Sequence, residues 1–115
     1  MVDARRTFGN AAERDAAAFL VAKGFDIVDV QYRHRFGEID IIAKEGEEFV
    51  MVEVKARHDH EFGYPEESVT KSKLRKIAIV GDHFMSDHRG SEWRIDVIAI
   101  EYDQTPPRIT HIVGV

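Results

Sequence analysis

Two carboxylates and one lysine carry the chemistry that this sequence suggests most strongly. Asp40 lies in one apolar run, and Glu53 and Lys55 lie in the next run, beyond a Glu-Gly-Glu turn at 45–47. Two strands joined by so few residues pair in antiparallel fashion. If Gly46 and Glu47 are the two residues of the turn, Asp40 lies directly opposite Glu53. The Cβ atoms of such a pair are about 5 Å apart. The spacing therefore predicts a compact charged patch on a hairpin.

The same register places Glu38 opposite Lys55, within a frame of Ile, Val, Met and Phe residues. Like charges that face each other destabilise a sheet, and a buried unpaired carboxylate is costly. A bound Mg²⁺ or Mn²⁺ ion would relieve the repulsion, because hard cations take carboxylate oxygens at about 2.0–2.6 Å. Lys55 would then orient a water molecule or neutralise developing negative charge. In the alternative interpretation, Lys55 only neutralises Glu53 or Glu38 in an ion pair.

The hairpin also carries a family resemblance. The strings GEIDII at 37–42 and VEVKAR at 52–57 resemble the YraN-type family of small bacterial predicted endonucleases, relatives of archaeal Holliday-junction resolvases. Further matching positions are Gly9, Glu13, Gly24, Val69, Thr70, Lys73 and Arg94-Ile95-Asp96. The chain departs from the family pattern at Gln31, where asparagine is usual, and at Ala56, where threonine is usual. Neither position is expected to bind metal.

The resemblance implies a function and a partner. It implies a metal-dependent DNA endonuclease that hydrolyses phosphodiester bonds in branched or recombination intermediates, with Asp40, Glu53 and Lys55 as catalytic residues. Asp40 and Glu53 would hold the metal, supported by Glu13 or Glu38. A homodimer is expected, because a four-way junction has two strands to cut. The alternative is a non-catalytic nucleic-acid- or protein-binding adaptor that keeps the nuclease fold.

Glu13 has two compatible interpretations. A first helix is predicted between Asn10, which suits an N-cap, and Gly24, which suits the position after the C-cap. Glu13 then lies three residues after the N-cap, where it could serve as the acid of a capping box. The family resemblance instead implies that Glu13, as a glutamate of the first helix, reaches the metal site.

Basic residues cluster despite a net charge of −5, which argues against indiscriminate nucleic-acid binding. A second helix is predicted to begin at Thr70, and its first turns carry several cations that the helix dipole disfavours. They could form a solvated face. The resemblance makes Lys73 a phosphate contact, helped by the backbone N–H groups at the helix start. The residues predicted to contact DNA are Arg33, Arg35, Arg57 and Lys73.

The segment His58-Asp59-His60 could chelate a transition metal, but it is better interpreted as a loop that borders the substrate. Arg94 and Asp96 lie on one face of a later strand. They could support the site, or form a surface ion pair that contributes less than about 1 kcal/mol.

Bulk properties predict a single cytoplasmic domain over residues 1–115. The chain is 43% hydrophobic and 32% charged, as in ordinary globular proteins. It has no cysteine, which excludes disulfides and thiolate metal sites. Neither a signal peptide nor an apolar run of about 20 residues is present, so no membrane contact is expected.

The predicted elements follow the order αβββαββ. Besides the two helices and the hairpin, strands are predicted at 25–33, 92–100 and 108–113. This order predicts an α/β protein with a mixed sheet flanked by helices. The family resemblance implies that these elements are arranged as a restriction-endonuclease-like sandwich.

Overall fold

The computed structural model describes residues 8–59 and 63–115, which form five strands, two α-helices and a short 3₁₀ helix. In chain order these are α1 (Ala11–Ala22), β1 (Asp26–His34), β2 (Gly37–Glu45), β3 (Glu48–Arg57), the 3₁₀ helix (Pro65–Ser68), α2 (Lys71–Met85), β4 (Trp93–Glu101) and β5 (Arg108–Ile112). The predicted order of helices and strands is confirmed. The 3₁₀ helix is an addition, because four residues carry too little periodicity to be recognised in a sequence.

The five strands form one mixed sheet in the order β1-β2-β3-β4-β5. The pairs β1–β2, β2–β3 and β4–β5 are antiparallel, whereas β3 and β4 are parallel. Parallel neighbours need a crossover connection, and α2 lies in that connection. The predicted α/β architecture with a mixed sheet is therefore confirmed.

The two faces of the sheet pack against different helices. On one face, Leu20 of α1 lies in the same apolar cluster as Val50 and Val52 of β3. On the other face, Val80 of α2 lies in a cluster with Met51. Because side chains alternate along a strand, successive residues of β3 contribute to opposite faces. The hairpin is thus buried on both sides, as its apolar composition predicts.

The turn between β2 and β3 fixes the register of the hairpin. Gly46 and Glu47 form the turn, Gly46 adopts a φ of 60°, and Glu45 pairs with Glu48. These two carboxylates face each other, and Arg94 of β4 donates hydrogen bonds to both, at 2.9 Å and 2.6 Å. The predicted two-residue turn and the pairing of Glu45 with Glu48 are confirmed, and Arg94 offsets the repulsion between these two carboxylates.

Both α-helices begin at the predicted residues. The Asn10 side chain accepts a hydrogen bond from the backbone N–H of Glu13, and that of Thr70 accepts one from Lys73. Gly24 follows the C-cap of α1 with a φ of 97°, a conformation that glycine adopts without strain. Of the helices in the described residues, none is long and apolar enough to cross a membrane.

Candidate active site

The sheet forks at the residues that carry the predicted chemistry. Pairing between β2 and β3 ends at Ile41 and Val52. Past that pair, β2 continues beside β1, and β3 continues beside β4. The next residues along the two separating strands are Asp40 and Glu53. Both carboxylates therefore lie at this opening, which we call the fork.

The prediction that Glu38 faces Lys55 is wrong. Because β2 leaves β3 after Ile41, Glu38 pairs with Arg33 of β1 instead. Its carboxylate also accepts a hydrogen bond from Arg33 Nε at 3.2 Å, at an exposed position. The structure thus gives Glu38 a surface ion pair rather than a contact with Lys55.

Asp40 is buried at the fork. Its Oδ2 accepts a hydrogen bond from the backbone N–H of Val54 at 2.9 Å. Burial, followed by the charges of Glu53 and Glu13, raises the pKa of Asp40 to about 8, although the Val54 N–H opposes this shift. The carboxyl groups of Asp40 and Glu53 lie close enough to share a proton. Negative charge is therefore concentrated in a poorly solvated space.

Glu53 and Lys55 form an ion pair on β3. Lys55 Nζ lies 3.4 Å from Glu53 Oε1, and the two side chains are only 19% and 12% exposed. Both residues have odd numbers, as does Met51, so they lie on the face of the sheet that α2 covers. The predicted proximity of Asp40, Glu53 and Lys55 is thus present in the structure.

Glu13 approaches the fork from the opposite face, on the first turn of α1. Its carboxylate is buried, and Oε1 accepts hydrogen bonds from the Gly9 N–H and from Gln31 Nε2, both at 2.7 Å. Its charge also raises the pKa of Asp40. The donor from the backbone is Gly9 rather than the N-cap residue, so the bond differs from that of a capping box. Glu13 both closes the helix start and adds negative charge beside Asp40.

Lys73 approaches the fork on the first turn of α2. The side-chain nitrogens of Lys73 and Lys55 lie close together, and this proximity, followed by partial burial and the charge of Lys55, lowers the pKa of Lys73. The carboxylates of Glu53 and Asp40 act in the opposite direction. Two lysines therefore compete for the same anionic surroundings. A phosphate group between them would satisfy both.

The three predicted DNA-binding arginines lie at or beside the ends of β1 and β3. Arg35 lies at the tip of the β1–β2 hairpin, with its guanidinium 4.9 Å from the ring centroid of Phe36. Arg33 precedes it and pairs with Glu38. Arg57 ends β3, and its Nη1 donates to the Ala56 carbonyl at 3.1 Å. The structure brings Lys73 to Lys55, and Arg57 lies two residues past Lys55 on the same strand.

The segment after β3 is described only in part. His60 lies outside the described residues, so the structure does not show the predicted relation between His58 and His60. The His58 ring stacks on Tyr102, with centroids 5.1 Å apart and an angle of 18° between the rings. His58, Ala56 and Tyr102 line a cavity of about 300 Å³ beside the start of α1. This placement, next to the end of β3, suits a loop that borders a substrate.

The donor atoms at the fork fit a divalent cation. In the part of the chain that the structure describes, no group of three or more His, Asp or Glu side chains converges in a way that would hold a metal alone. Mg²⁺ commonly binds through one or two carboxylates and completes its shell with waters and substrate phosphates. Asp40 and Glu53 provide two such carboxylates, close together, and a cation would relieve the repulsion between them.

The chain also matches known proteins in sequence. The family described as "Uncharacterised protein family UPF0102" matches residues 12–100. The chain belongs to UPF0102. This is the YraN family, and the resemblance carried by the hairpin is therefore confirmed.

Relatives in UPF0102 cover most of the chain. The UPF0102 protein of Rhodococcus jostii is 42% identical over 108 residues, which is 90% of this chain and 91% of the relative. The one from Caldicellulosiruptor saccharolyticus is 39% identical over 98 residues, 84% of this chain and 83% of the relative. The one from Beutenbergia cavernae is 36% identical over 115 residues, 97% and 98% of the two chains. None of these descriptions names a reaction.

Gln31 is a site residue that the sequence did not identify in this UPF0102 chain. It adopts a φ of 52°, in the left-handed region that asparagine occupies more readily than glutamine. This conformation accompanies the hydrogen bond from its side chain to Glu13. The sequence does mark this residue, because the chain departs from the family pattern at Gln31. A longer amide with the same chemistry replaces the usual asparagine there.

Arg94 and Asp96 form a buried network, which corrects both earlier interpretations. Asp96 is fully buried and accepts hydrogen bonds from Arg94 Nε at 2.9 Å, His111 Nε2 at 2.7 Å and the Gly114 N–H at 3.0 Å. It shares its face of β4 with Ile98, in the α1 cluster, whereas Lys55 lies on the α2 face. The pair is neither a surface ion pair nor a direct support for the fork. It ties β5 and the turn of the β2–β3 hairpin to β4.

Proposed function

We propose that this UPF0102 chain is a Mg²⁺- or Mn²⁺-dependent DNA endonuclease that hydrolyses phosphodiester bonds, with Asp40, Glu53 and Lys55 as its catalytic residues. One observation carries the proposal: the fork brings two close carboxylates together with two close lysines. Carboxylates suit a hard cation, and lysines suit a phosphate. Metal-assisted hydrolysis of a phosphodiester brings a cation and a phosphate together at one site.

The carboxylates would hold the cation, and the backbone positions them. When bound, the ion supplies a Lewis acid for phosphoryl oxygens and lowers the pKa of a coordinated water. Asp40 is held in place for this role because its Oδ2 accepts a hydrogen bond from the backbone N–H of Val54, and its carboxyl group lies close to that of Glu53. Glu13 supports the site by adding negative charge near Asp40. The finer fold assignment, a restriction-endonuclease-like sandwich, belongs to this proposal.

The lysines would act on the substrate. Lys55 is kept next to the carboxylates by its ion pair with Glu53, so its ammonium group can orient the attacking water and stabilise negative charge at phosphorus. Lys73 lies beside it at the start of α2, where the helix N-terminus also favours an anion. It would bind the phosphate and hold it in register with the water.

The other candidate is an adaptor that binds a partner without cleaving it. The net charge of −5 favours this function, because electrostatic attraction to nucleic acid is weaker for an acidic protein. An adaptor would use the hairpin for packing alone. Its fork would then need no cation.

Cleavage and metal binding by matched variants would decide between the two. The parent protein, Asp40→Asn and the turn variant Glu47→Gln are incubated with a labelled four-way junction and with the matching duplex, in Mn²⁺ or Mg²⁺ and in EDTA. We expect metal-dependent cleavage by the parent and by Glu47→Gln, and none by Asp40→Asn. Calorimetry with Mn²⁺ should show the same pattern of binding. Equal Mn²⁺ binding by Asp40→Asn and the parent, or no cleavage by any protein, would favour the adaptor.

A further inference from the structure

The tip of the β1–β2 hairpin presents an exposed aromatic ring on a fixed support. Phe36 is 49% exposed. Gly37 follows it with a φ of 149°, and a side-chain carbon placed there would lie 3.8 Å from Val80 and 3.9 Å from Lys76 on α2. The hairpin tip is therefore packed directly onto the helix. Phe36 is exposed although its backbone is held in place.

The ring of Phe36 belongs to an aromatic stack. The His34 ring lies 5.4 Å from it at an interplanar angle of 28°, and Nδ1 of His34 accepts a hydrogen bond from the Phe36 N–H at 3.3 Å. The His83 ring of α2 lies 4.4 Å from His34. Arg35 places its guanidinium 4.9 Å from the Phe36 centroid. The stack thus runs from α2 outward, and an arginine on a flexible side chain lies at its outer end.

The geometry points to a stacking platform for an unpaired nucleobase at Phe36 and His34. Aromatic rings beside cationic side chains bind single-stranded nucleic acid in this manner, because every base has a flat π-face. A base that stacks on Phe36 would displace Arg35 from the ring, and the guanidinium would then reach the adjoining phosphate.

The charge around the platform suits an anionic polymer. Arg35 and Lys76 lie at the tip, and Arg33 is 77% exposed. Glu38 also lies beside Arg33, and their ion pair offsets one charge. The remaining cations continue toward the fork, since Lys73 and Lys76 are one turn apart on the same side of α2. A nucleic-acid strand could follow this line.

The spacing between platform and fork gives the substrate class. Phe36 lies in the turn directly before β2 and precedes Asp40 by four residues, which corresponds to about 13 Å along an extended chain. Stacked nucleotides advance about 3.4 Å each, so the platform lies about four nucleotides from the carboxylates. The inference rests on the proposed function only for where the cut would fall. It predicts DNA with an unpaired base about four nucleotides from that phosphate, as found beside branches, flaps and gaps.

Binding can be tested without cleavage. Proteins carrying Lys55→Met, in EDTA, are titrated against DNA with 2-aminopurine either unpaired beside a branch point or paired within a duplex. We expect quenching of the unpaired 2-aminopurine, and about 10-fold weaker binding with little quenching after Phe36→Ala. Phe36→Trp should restore both, because it restores a flat ring. Val21→Ala, which truncates another exposed apolar residue, serves as the control for loss of surface area.

Several results would overturn the platform. Equal losses for branched and duplex DNA would show a general contact, and unchanged quenching after Phe36→Ala would show no contact with a base. A change in sedimentation coefficient with Phe36→Ala, but no change in DNA binding, would assign the ring to an interface between two copies of the chain. Failure of the endonuclease proposal is distinguished by a second assay, with proteins that keep Lys55 and are supplied with Mn²⁺: a protein that binds and quenches but never cleaves keeps the platform and loses the nuclease. A protein that cleaves normally after Phe36→Ala loses only the platform.

Discussion

Oδ2 of Asp40 accepts the backbone N–H of Val54 at 2.9 Å. Once β2 and β3 separate, this N–H lacks a partner in the β2–β3 ladder, which ends at Ile41 and Val52. An unpaired buried N–H would destabilise the sheet, so the carboxylate replaces the missing strand partner. The Asp40 side chain therefore satisfies the backbone where the two strands separate, and it also places a carboxylate at that opening. Its structural and chemical roles can be separated by substitution.

Asp40→Asn should keep the metal-free stability of the parent, whereas Asp40→Ala should lower it. Burial and the neighbouring carboxylates raise the pKa of Asp40 to about 8, so the metal-free side chain is mostly protonated at pH 7. Asparagine resembles that neutral form and can still accept the Val54 N–H. Alanine leaves this N–H unsatisfied, at about 1–3 kcal/mol. Urea denaturation in EDTA at pH 7 measures both, and equal stabilities of the two variants would contradict the role in closing the fork.

Lys55→Met should lower cleavage by about 100- to 1,000-fold while the fold persists. Methionine keeps much of the apolar stem, and Lys73 remains beside Glu53 to offset its charge. If Lys55 only neutralised Glu53, its loss would leave a buried carboxylate unpaired and lower stability by about 3 kcal/mol. Melting curves with and without Mn²⁺, recorded beside cleavage rates, separate the two roles.

The matched control for Lys55→Met is Lys44→Met. Lys44 lies on β2 of the same hairpin, with Nζ 5.0 Å from the ring centroid of Phe49. This substitution removes a lysine of equal size from a place away from the fork. We expect cleavage at the parental rate. A similar loss in both variants would mean that charge on the hairpin, rather than the position of Lys55, sets the rate.

Lys73→Glu should weaken DNA binding and reduce the slope of log affinity against log salt by about one. The substitution removes a phosphate contact but places an acid on the first helical turn, where the dipole favours it. Weaker binding would then not come from unfolding of α2. Lys71→Glu makes the same charge change in the same turn, and we expect a smaller effect because Lys73 is the residue beside Lys55. Equal losses of DNA affinity in the two variants would mean that the start of α2 attracts DNA only through its overall positive charge.

Glu13→Gln and Glu13→Ala should differ in stability but agree in metal binding. Glutamine keeps an oxygen for the Gly9 N–H and the Gln31 amide, whereas alanine leaves both without an acceptor, at about 1–3 kcal/mol. Either change removes a negative charge near Asp40, so Mn²⁺ affinity should fall in both variants. Calorimetry and melting curves measure the two effects. Parental Mn²⁺ affinity in Glu13→Gln would reduce Glu13 to a structural role.

Asp96 should make stability depend on pH in the acid range. Burial raises the pKa of Asp96, but hydrogen bonds from Arg94, the Gly114 N–H and His111 outweigh burial and lower the pKa below its ordinary value of 3.8. The folded protein therefore holds this proton less tightly than the unfolded chain. The stabilisation is complete above about pH 4 and is lost as the pH falls through the pKa of the folded state.

Asp96→Asn tests whether Asp96 is responsible for this loss of stability at acid pH. The variant should unfold more easily at pH 7, because Arg94 and His111 lose a charged acceptor, and its stability should change less between pH 4 and pH 2. Urea denaturation across that range measures both effects. If the parent and Asp96→Asn lost stability in parallel on acidification, another carboxylate would be responsible for acid unfolding.

Local interactions allowed the hairpin and the helix starts to be predicted. A two-residue turn at 46–47 allows a single antiparallel register, and period-two alternation then decides which side chains share a face. Asn10 and Thr70 mark helix starts because their side chains bind an N–H three residues ahead. The close placement of Asp40, Glu53 and Lys55 follows from these short-range rules.

The fork, by contrast, was decided by strands far apart in sequence. Nothing within the hairpin ends its ladder at Ile41 and Val52. The ladder ends there as β2 continues with β1 and β3 continues with the parallel strand β4. Extending the local register past that point gave the wrong partner for Glu38.

Tertiary packing also decided which distant residues meet at the fork. The parallel pairing of β3 with β4 requires a crossover, which brings Lys73 to Lys55, and packing of α1 on the other face brings Glu13 toward Asp40. Gln31 reaches Glu13 only through a left-handed backbone conformation that periodicity does not reveal. Sequence pattern reports the forces between residues close along the chain. The fork depends on the competition among strands and helices for the same partners, which exists only once the sheet is assembled.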